Sequence, residues 1–115
     1  MDEPYFMRPG EGERIGEREH RVLAELPHIE ALELSYGPDF EGVDPHTHAD
    51  HVDAFYVLEG QVEFRVGDEP RVVGPGTFFA APPGAVHGFR NADADPIRVL
   101  NLHAPPGGFV DRLRA

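Results

Sequence analysis

Turn-forming residues divide this chain into short segments, and that division is the strongest constraint on its fold. The sequence holds 13 glycines and 12 prolines in 115 residues, against average usages of about 7% and 5%. Most of them stand in clusters: 37–38, 60, 67–70, 74–76, 82–84 and 105–108. So many turn-forming residues predict many short elements joined by tight turns, which is typical of an all-β domain. A helix is possible over 22–34, but Pro27 and the alternation along 32–36 favour strands.

The segments between the turns show the alternation of half-buried strands. In residues 61–66, Val62, Phe64 and Val66 alternate with polar residues, which gives the strand one apolar face. These three residues, with Val57 and Leu100, form the predicted core. The predicted strands are 21–25, 28–36, 54–59, 61–66, 71–73, 77–81, 86–91 and 97–103, with a loop over 38–45 and a helical turn over 109–115. Many short strands predict an antiparallel sandwich or small barrel.

Composition excludes several kinds of function. The chain has no cysteine, so any metal must be held by nitrogen and oxygen ligands. Its formal net charge of −11 repels phosphate backbones, so we expect no nucleic-acid partner. No apolar run approaches the ~18 residues of a membrane span, and no signal peptide is visible. We therefore expect no membrane partner and a cytoplasmic location.

Histidines concentrate in one stretch that a carboxylate follows. Three of the chain's 7 histidines lie between residues 46 and 51. His46 and His48 are two residues apart, and such side chains on a strand face the same side. Asp53 stands at the head of the next strand, and His87 opens another strand after a Pro-Gly turn. The pattern indicates a metal site.

The first group of these residues resembles the first motif of the cupin superfamily. His46-x-His48, four residues, Asp53, six residues and Gly60 is similar to the family's His-x-His, a following Glu, and a later Gly. Asp53 departs from the pattern because it is one methylene shorter than Glu. It can bind a metal weakly, bind through a water, or leave the metal to three histidines. Asp50 is a second carboxylate that could take its place.

A second group matches the second cupin motif at every position. Gly76 is followed after five residues by Pro82-x-Gly84, after two more by His87, and after three more by Asn91. The resemblance implies a double-stranded β-helix, the cupin or jelly-roll barrel, which agrees with the short strands predicted above.

The resemblance also implies a domain organisation. Residues 21–115 are expected to form a single cupin domain, and residues 1–20, which lack strand or helix periodicity, an N-terminal arm. Cupin barrels commonly pair through edge strands and such arms. We therefore expect a homodimer.

By the same resemblance, three histidines and one carboxylate form a metal centre, with Asp53 as ligand, catalytic base or both. The implied metal ligands are His46, His48, Asp53 and His87. The expected cofactor is a divalent transition metal, and this ligand set does not choose among Fe, Mn, Ni, Co, Cu and Zn. The candidates for substrate binding are Tyr56, Phe55, Phe89 and His103. His51 is interpreted as a loop residue or a support for the ligands, and His20 and His28 as surface residues.

The function implied by the resemblance is chemistry on a small molecule. The segment 55–60 and the tail from Asn101 to Phe109 are similar to small quercetinase-like cupins. We therefore expect a metal-dependent enzyme that acts on a small oxygenated organic molecule, most simply a dioxygenase. Two alternatives stay open: a metal-dependent isomerase, decarboxylase or lyase, and a module that binds a metal or small ligand without turnover. Fold alone does not decide among them.

Overall fold

A computed structural model describes residues 3–115, which form ten strands and one short helix. The two leading residues of the predicted arm lie outside the described residues. The elements are β1 (Arg14–Ile15), β2 (His20–Leu26), β3 (Ile29–Tyr36), β4 (Val43–His46), β5 (Val52–Glu59), β6 (Val62–Val66), β7 (Glu69–Val73), β8 (Phe78–Ala81), β9 (His87–Asn91), β10 (Ile97–Ala104) and α1 (Phe109–Arg114).

The strands form two antiparallel sheets that face each other. The larger sheet has the order β1-β2-β3-β10-β5-β8, and the smaller has the order β4-β9-β6-β7. Strand β10 therefore lies between β3 and β5, which are distant from it in sequence. The predicted all-β fold is confirmed. Within the described residues, no helix is long and apolar enough to cross a membrane.

Alternation along the central strands builds the interior. On β10, the buried row runs Ile97, Val99, Asn101 and His103, while the residues between them are half-buried. The first two of these side chains are apolar and the last two are polar. The interior between the sheets is thus an apolar core that gives way to polar groups toward the C-terminal end of β10. The buried core residues are Ile15, Val22, Leu32, Leu34, Tyr36, Phe55, Val57, Val62, Phe64, Phe89, Ile97, Val99 and Val110.

All eight predicted strands and the helical turn are present, and the structure adds two short strands. Strand β4 occupies part of the predicted loop 38–45, although it contains Pro45. It pairs only with β9, at an edge of the smaller sheet, where a proline is tolerated because one side needs no ladder hydrogen bond. Strand β1 is a two-residue pairing with β2.

The predicted core is confirmed in part. Val57, Val62 and Phe64 are buried, but Val66 is 44% exposed because it ends β6 at the rim of the sheet. Leu100 lies on the half-buried outward row of β10.

Residues 3–20 are tied to the larger sheet by the pairing of β1 with β2 and by several hydrogen bonds. The hydroxyl of Tyr5 donates to the carbonyl of Leu23 at 2.7 Å, and the N–H of Val22 donates to the carbonyl of Glu13 at 2.8 Å. The boundary between arm and domain at residue 20 stays a prediction.

Candidate metal centre

Four side chains converge at the seam between the two sheets. They are those implied by the sequence motifs, and one donor atom from each lies within 4.8 Å of the others: His46, His48, Asp53 and His87. His46 ends β4 and is paired in register with His87 at the start of β9. Asp53 comes from β5 of the larger sheet, and His48 follows β4 in a loop. The two sheets therefore supply the site jointly.

The donor atoms are in near contact. Nε2 of His46 is 3.0 Å from Nε2 of His48, and Nε2 of His87 is 2.9 Å from Oδ2 of Asp53. Oδ2 of Asp53 is also 3.5 Å from Nε2 of His48. His48 and His87 thus turn Nε2 toward one carboxylate oxygen, and Nε2 of His46 lies against that of His48.

Hydrogen bonds at the far side of two rings fix which nitrogen is free. Nδ1 of His46 lies 2.9 Å from the carbonyl of Asp44, and Nδ1 of His87 lies 3.0 Å from the carbonyl of Ala85. A carbonyl only accepts, so Nδ1–H donates in both cases, and the neutral ring carries its lone pair on Nε2. Convergent lone pairs beside a carboxylate repel each other unless a cation or protons lie between them. The donor set therefore fits a divalent metal ion, and backbone carbonyls orient its histidines as in known metal sites.

The Asp53 carboxylate reaches the cluster in spite of its shorter side chain. Its Oδ1 accepts a hydrogen bond from Nδ2 of Asn101 at 2.8 Å and lies 3.1 Å from Nε2 of His103, which leaves Oδ2 facing the histidines of the cluster. Burial raises the pKa of Asp53, but the hydrogen bonds from His103 and His87 outweigh it and hold the pKa well below its ordinary value. The carboxylate is therefore ionised at neutral pH.

The alternative carboxylate does not take part. The side chain of Asp50 is 87% exposed and pairs with Nδ1 of His51 at 2.9 Å. It points away from the cluster, so among Asp50 and Asp53 the structure brings only Asp53 to the three histidines.

The pKa values of two histidines of the cluster are shifted in opposite directions. Burial, followed by the neighbouring rings of His51 and His46, lowers the pKa of His48, which keeps that imidazole neutral and able to bind a metal. Burial also lowers the pKa of His87, but its hydrogen bond with Asp53 prevails and raises the pKa above its ordinary value. A metal must therefore compete with a proton at His87.

A cavity of about 370 Å³ opens onto the cluster. Apart from the cluster itself, its walls are mainly apolar. Of the four predicted substrate-binding residues, Phe55, Phe89 and His103 line it. The other lining residues are Leu34, Tyr36, Val43, Asp44, Pro45, His46, His48, His51, Asp53, Asn101, Phe109 and Arg112.

Tyr56 is not among the lining residues. Successive side chains of a strand point to opposite faces, and β5 directs Asp53, Phe55 and Val57 inward. Tyr56 therefore points outward and is 40% exposed. The structure does not bring its hydroxyl to the cavity.

Two buried polar residues of the site, Glu30 and Asn101, were not among the predicted site residues. Glu30 is buried, and its Oε1 lies 2.7 Å from Nδ1 of His103; alternation with Leu32 and Leu34 along β3 was a signal that it faces inward. His51 is also buried and lines the cavity. The expectation of a surface position for His20 is wrong: it is 4% exposed, since it alternates inward with Val22 on β2.

Comparisons with known proteins agree with this geometry. The sequence profile of the family described as Cupin domain matches residues 33–103. Quercetin 2,3-dioxygenase of Bacillus subtilis (strain 168) is 32% identical over 92 residues, which covers 76% of this chain and 27% of that protein. The chain thus spans about a quarter of the length of the curated relative it matches.

Solved structures share the architecture. KdgF from Halomonas sp. gives a TM-score of 0.79 at 24% identity, covering 90% of this chain and 96% of that chain. A protein with a double-stranded β-helix domain from Klebsiella pneumoniae subsp. pneumoniae gives a TM-score of 0.68 at 25% identity, covering 88% of this chain and 84% of that chain.

Proposed function

The chain belongs to the cupin domain family, and from that membership and the converging donor atoms we propose a metal-dependent enzyme. Its substrate is a small oxygenated organic molecule, and its reaction is most simply a dioxygenation, which places both atoms of O₂ in the product. The predicted double-stranded β-helix is confirmed by the family match and by the structural neighbours.

One observation carries the proposal: three histidines and one ionised carboxylate converge within 4.8 Å, and three of these four side chains, those of His46, His48 and Asp53, line a cavity. We propose that His46, His48, Asp53 and His87 hold a divalent transition metal, one of Fe, Mn, Ni, Co, Cu or Zn. When bound, the metal supplies Lewis acidity and, if redox-active, a path for electrons between substrate and dioxygen.

The protein's own groups have separate tasks in this proposal. These four protein ligands would leave room for a substrate on a metal that accepts more than four ligands. The aromatic walls formed by Phe55 and Phe89 pack against a flat organic substrate and limit the entry of water. Because its pKa lies well below the ordinary range, Asp53 is better suited to hold a cation than to remove a proton from the substrate.

The relative's activity supports the choice of a dioxygenase. The B. subtilis protein is a quercetin 2,3-dioxygenase, and a site that takes a flat, oxygenated ring needs the apolar walls described above. The cavity of about 370 Å³ falls within the usual range for small-molecule sites, roughly 300–1,000 Å³.

The first test is metal content. Protein purified without chelators is expected to contain about one transition-metal ion per chain by elemental analysis. The double variant His46→Ala, His87→Ala is expected to contain none. His28→Ala, an exposed histidine away from the cluster, is the matched control. A wild-type protein that takes up no metal would refute the proposal.

The second test is oxygen consumption. The reconstituted protein is offered catechols, flavonols and β-diketones in an oxygen electrode, and consumption that requires both metal and substrate supports the dioxygenase. Turnover without oxygen uptake would indicate an isomerase, decarboxylase or lyase instead. Metal binding with no turnover would indicate a binding module.

We also propose that the chain forms a homodimer. Two exposed aromatic residues support this arrangement: Phe6, which is 85% exposed, and Phe78 on the edge strand β8, which is 60% exposed. Exposed apolar groups at a sheet edge favour pairing with a second copy. Light scattering of the full chain is expected to give twice the 12.7 kDa chain mass, and Phe78→Arg to lower it.

A further inference from the structure

We propose that Glu30 is a positioning residue for the metal centre. Acting through His103, it sets which oxygen of Asp53 faces the metal, and through the N–H of Phe109 it fixes the start of the helix that borders the cavity. This inference rests on the proposed metal-binding function.

Three polar residues form one row across the middle of the larger sheet. His103 on β10 stands opposite Glu30 on β3 and opposite Asp53 on β5. All three side chains face the interior, with exposed fractions of 2% for Glu30, 5% for His103 and 3% for Asp53. Cross-strand neighbours of this kind lie within direct contact, so the row is set by strand register rather than by a flexible loop.

Both nitrogens of the central imidazole are occupied. Nδ1 of His103 is 2.7 Å from Oε1 of Glu30, and Nε2 is 3.1 Å from Oδ1 of Asp53. A carboxylate accepts hydrogen bonds, so the ring donates to both neighbours. Without the Glu30 carboxylate, Nδ1 of His103 has no fixed acceptor, and the ring is free to turn about its Cβ–Cγ bond. Nε2 is then no longer held against Oδ1 of Asp53.

The Asp53 carboxylate is thereby given one orientation. Its Oδ1 receives two donors, Nε2 of His103 and Nδ2 of Asn101, while Oδ2 is left for His48 and His87. This division favours binding of a metal through Oδ2 alone. The side chain of Asp53 is one methylene shorter than the family's usual Glu. A rotation of its carboxylate would therefore move Oδ2 away from the histidines of the cluster.

Glu30 makes a second contact with the same oxygen. The backbone N–H of Phe109 donates to Oε1 of Glu30 at 3.2 Å, and the Phe109 ring stands edge-on to His103 with centroids 5.4 Å apart. Phe109 begins α1 and lines the cavity. One buried carboxylate thus connects the wall of the cavity to the metal ligand on the far side of β10.

A buried carboxylate in this position needs a reason beyond packing. Further along the same face of β3, the inward positions are Leu32 and Leu34, which are 0% and 1% exposed. A buried charge is unfavourable unless it is paired, and an apolar residue of similar volume often serves stability as well or better. Orientation of the metal ligand supplies that reason.

The test compares two identical changes on one strand. Glu30→Gln removes the charge from the row, whereas Glu33→Gln removes a charge that pairs with Arg21 and Arg98 away from the cavity. Full-length metal-free protein is titrated with Co²⁺ and followed by calorimetry and by visible absorption. Groups that support metal ligands typically contribute about 10- to 100-fold in affinity. We expect that loss, with an altered Co²⁺ spectrum, for Glu30→Gln, and binding within about twofold of wild type for Glu33→Gln.

Three outcomes would overturn the inference. A folded Glu30→Gln protein with wild-type affinity and spectrum would do so directly, and equal losses in both variants would indicate a general effect on stability. If Glu30→Gln does not fold, Glu30→Asp carries the test, and wild-type behaviour of that variant overturns the inference. A wild-type chain that binds no Co²⁺ would instead remove the proposed metal centre itself, and this inference with it.

Discussion

Nε2 of His87 lies 2.9 Å from Oδ2 of Asp53, and this contact joins the two sheets of the molecule. His87 belongs to β9 of the smaller sheet, and Asp53 belongs to β5 of the larger. A metal bound between them would be held by both sheets at once. The stability of the fold and the occupancy of the site are therefore expected to be linked.

Metal loading is expected to raise the melting temperature. A ligand present at a 100-fold excess over its dissociation constant stabilises the folded state by about 2.7 kcal/mol, which for a domain of this size corresponds to roughly 10 °C. Differential scanning calorimetry before and after chelation measures the shift. The double variant His46→Ala, His87→Ala should show no response to metal, and a wild-type melting temperature insensitive to chelation would contradict the link.

Loss of the Asp53 charge is expected to weaken metal binding by at least about 100-fold. Removing a group that only supports a metal ligand already lowers metal affinity by about 10- to 100-fold. Asp53→Asn keeps the shape of the side chain, and isothermal titration with Co²⁺ measures the effect. Asp50→Asn is the control, because Asp50 is exposed and points away from the cluster. Unchanged affinity in Asp53→Asn would leave the metal to the three histidines.

Acid is expected to destabilise the fold partly through His20. Burial, and then the charge of Arg18, lower the pKa of His20 from 6.5 to about 4. Because the pKa of His20 is lower in the folded state, protonation of this side chain favours the unfolded chain. The contribution of neutral His20 to the free energy of unfolding is complete above about pH 6.5 and is lost as the pH falls toward 4. At pH 4.5 the free energy of unfolding is expected to be lower by about 2 kcal/mol.

His20→Gln removes this sensitivity, so its free energy of unfolding should fall less than that of wild type between pH 6.5 and pH 4.5. Urea denaturation of chelator-treated protein measures the difference and excludes effects of metal. His28→Gln, which changes an exposed histidine, should follow the wild-type curve. Parallel curves for all three proteins would show that His20 does not titrate as described.

Two turn glycines are expected to respond differently to the same substitution. Gly60 and Gly67 both have positive φ, 83° and 60°, which costs a residue with a Cβ about 1–2 kcal/mol. A Cβ on Gly60 would also lie 2.6 Å from Cγ2 of the buried Ile97, whereas one on Gly67 has nothing within 4 Å. We expect a loss of about 3 kcal/mol for Gly60→Ala and about 1 kcal/mol for Gly67→Ala in chemical denaturation. Equal losses of stability in the two variants would mean that Ile97 moves to make room for the added Cβ at residue 60.

Local patterns were sufficient for eight of the ten strands, and the resemblance of two separate motifs to the cupin family supplied the four converging side chains. The alternation of Val62 with Phe64, and the turn residues around them, are properties of neighbouring positions that sequence displays directly. The same holds for His46 and His48, whose spacing places them together. Strand β4 was not predicted, because Pro45 and its acidic neighbours are typical of a loop. This segment is a strand because it pairs with β9.

The remaining parts of the site depend on which strands become neighbours. Tyr56 was misplaced because β5 has apolar residues on both faces, so the pattern did not show which face is inward. Glu30 was missed because its role comes from standing beside His103, a residue 73 positions later. Neither periodicity nor motif spacing specifies that pairing.

The central place of β10 has a consequence for how the molecule is assembled. Strands β3 and β5 are both synthesised before β10, yet each must leave one edge open for it. A nascent chain that ends before Ile97 has the three ligand histidines but lacks Asn101 and His103, the groups that hold Asp53. Closing so long a loop is slow, and the open strand edges are meanwhile exposed to aggregation. Insertion of β10 is therefore expected to be the step that both completes folding and makes the centre competent for metal.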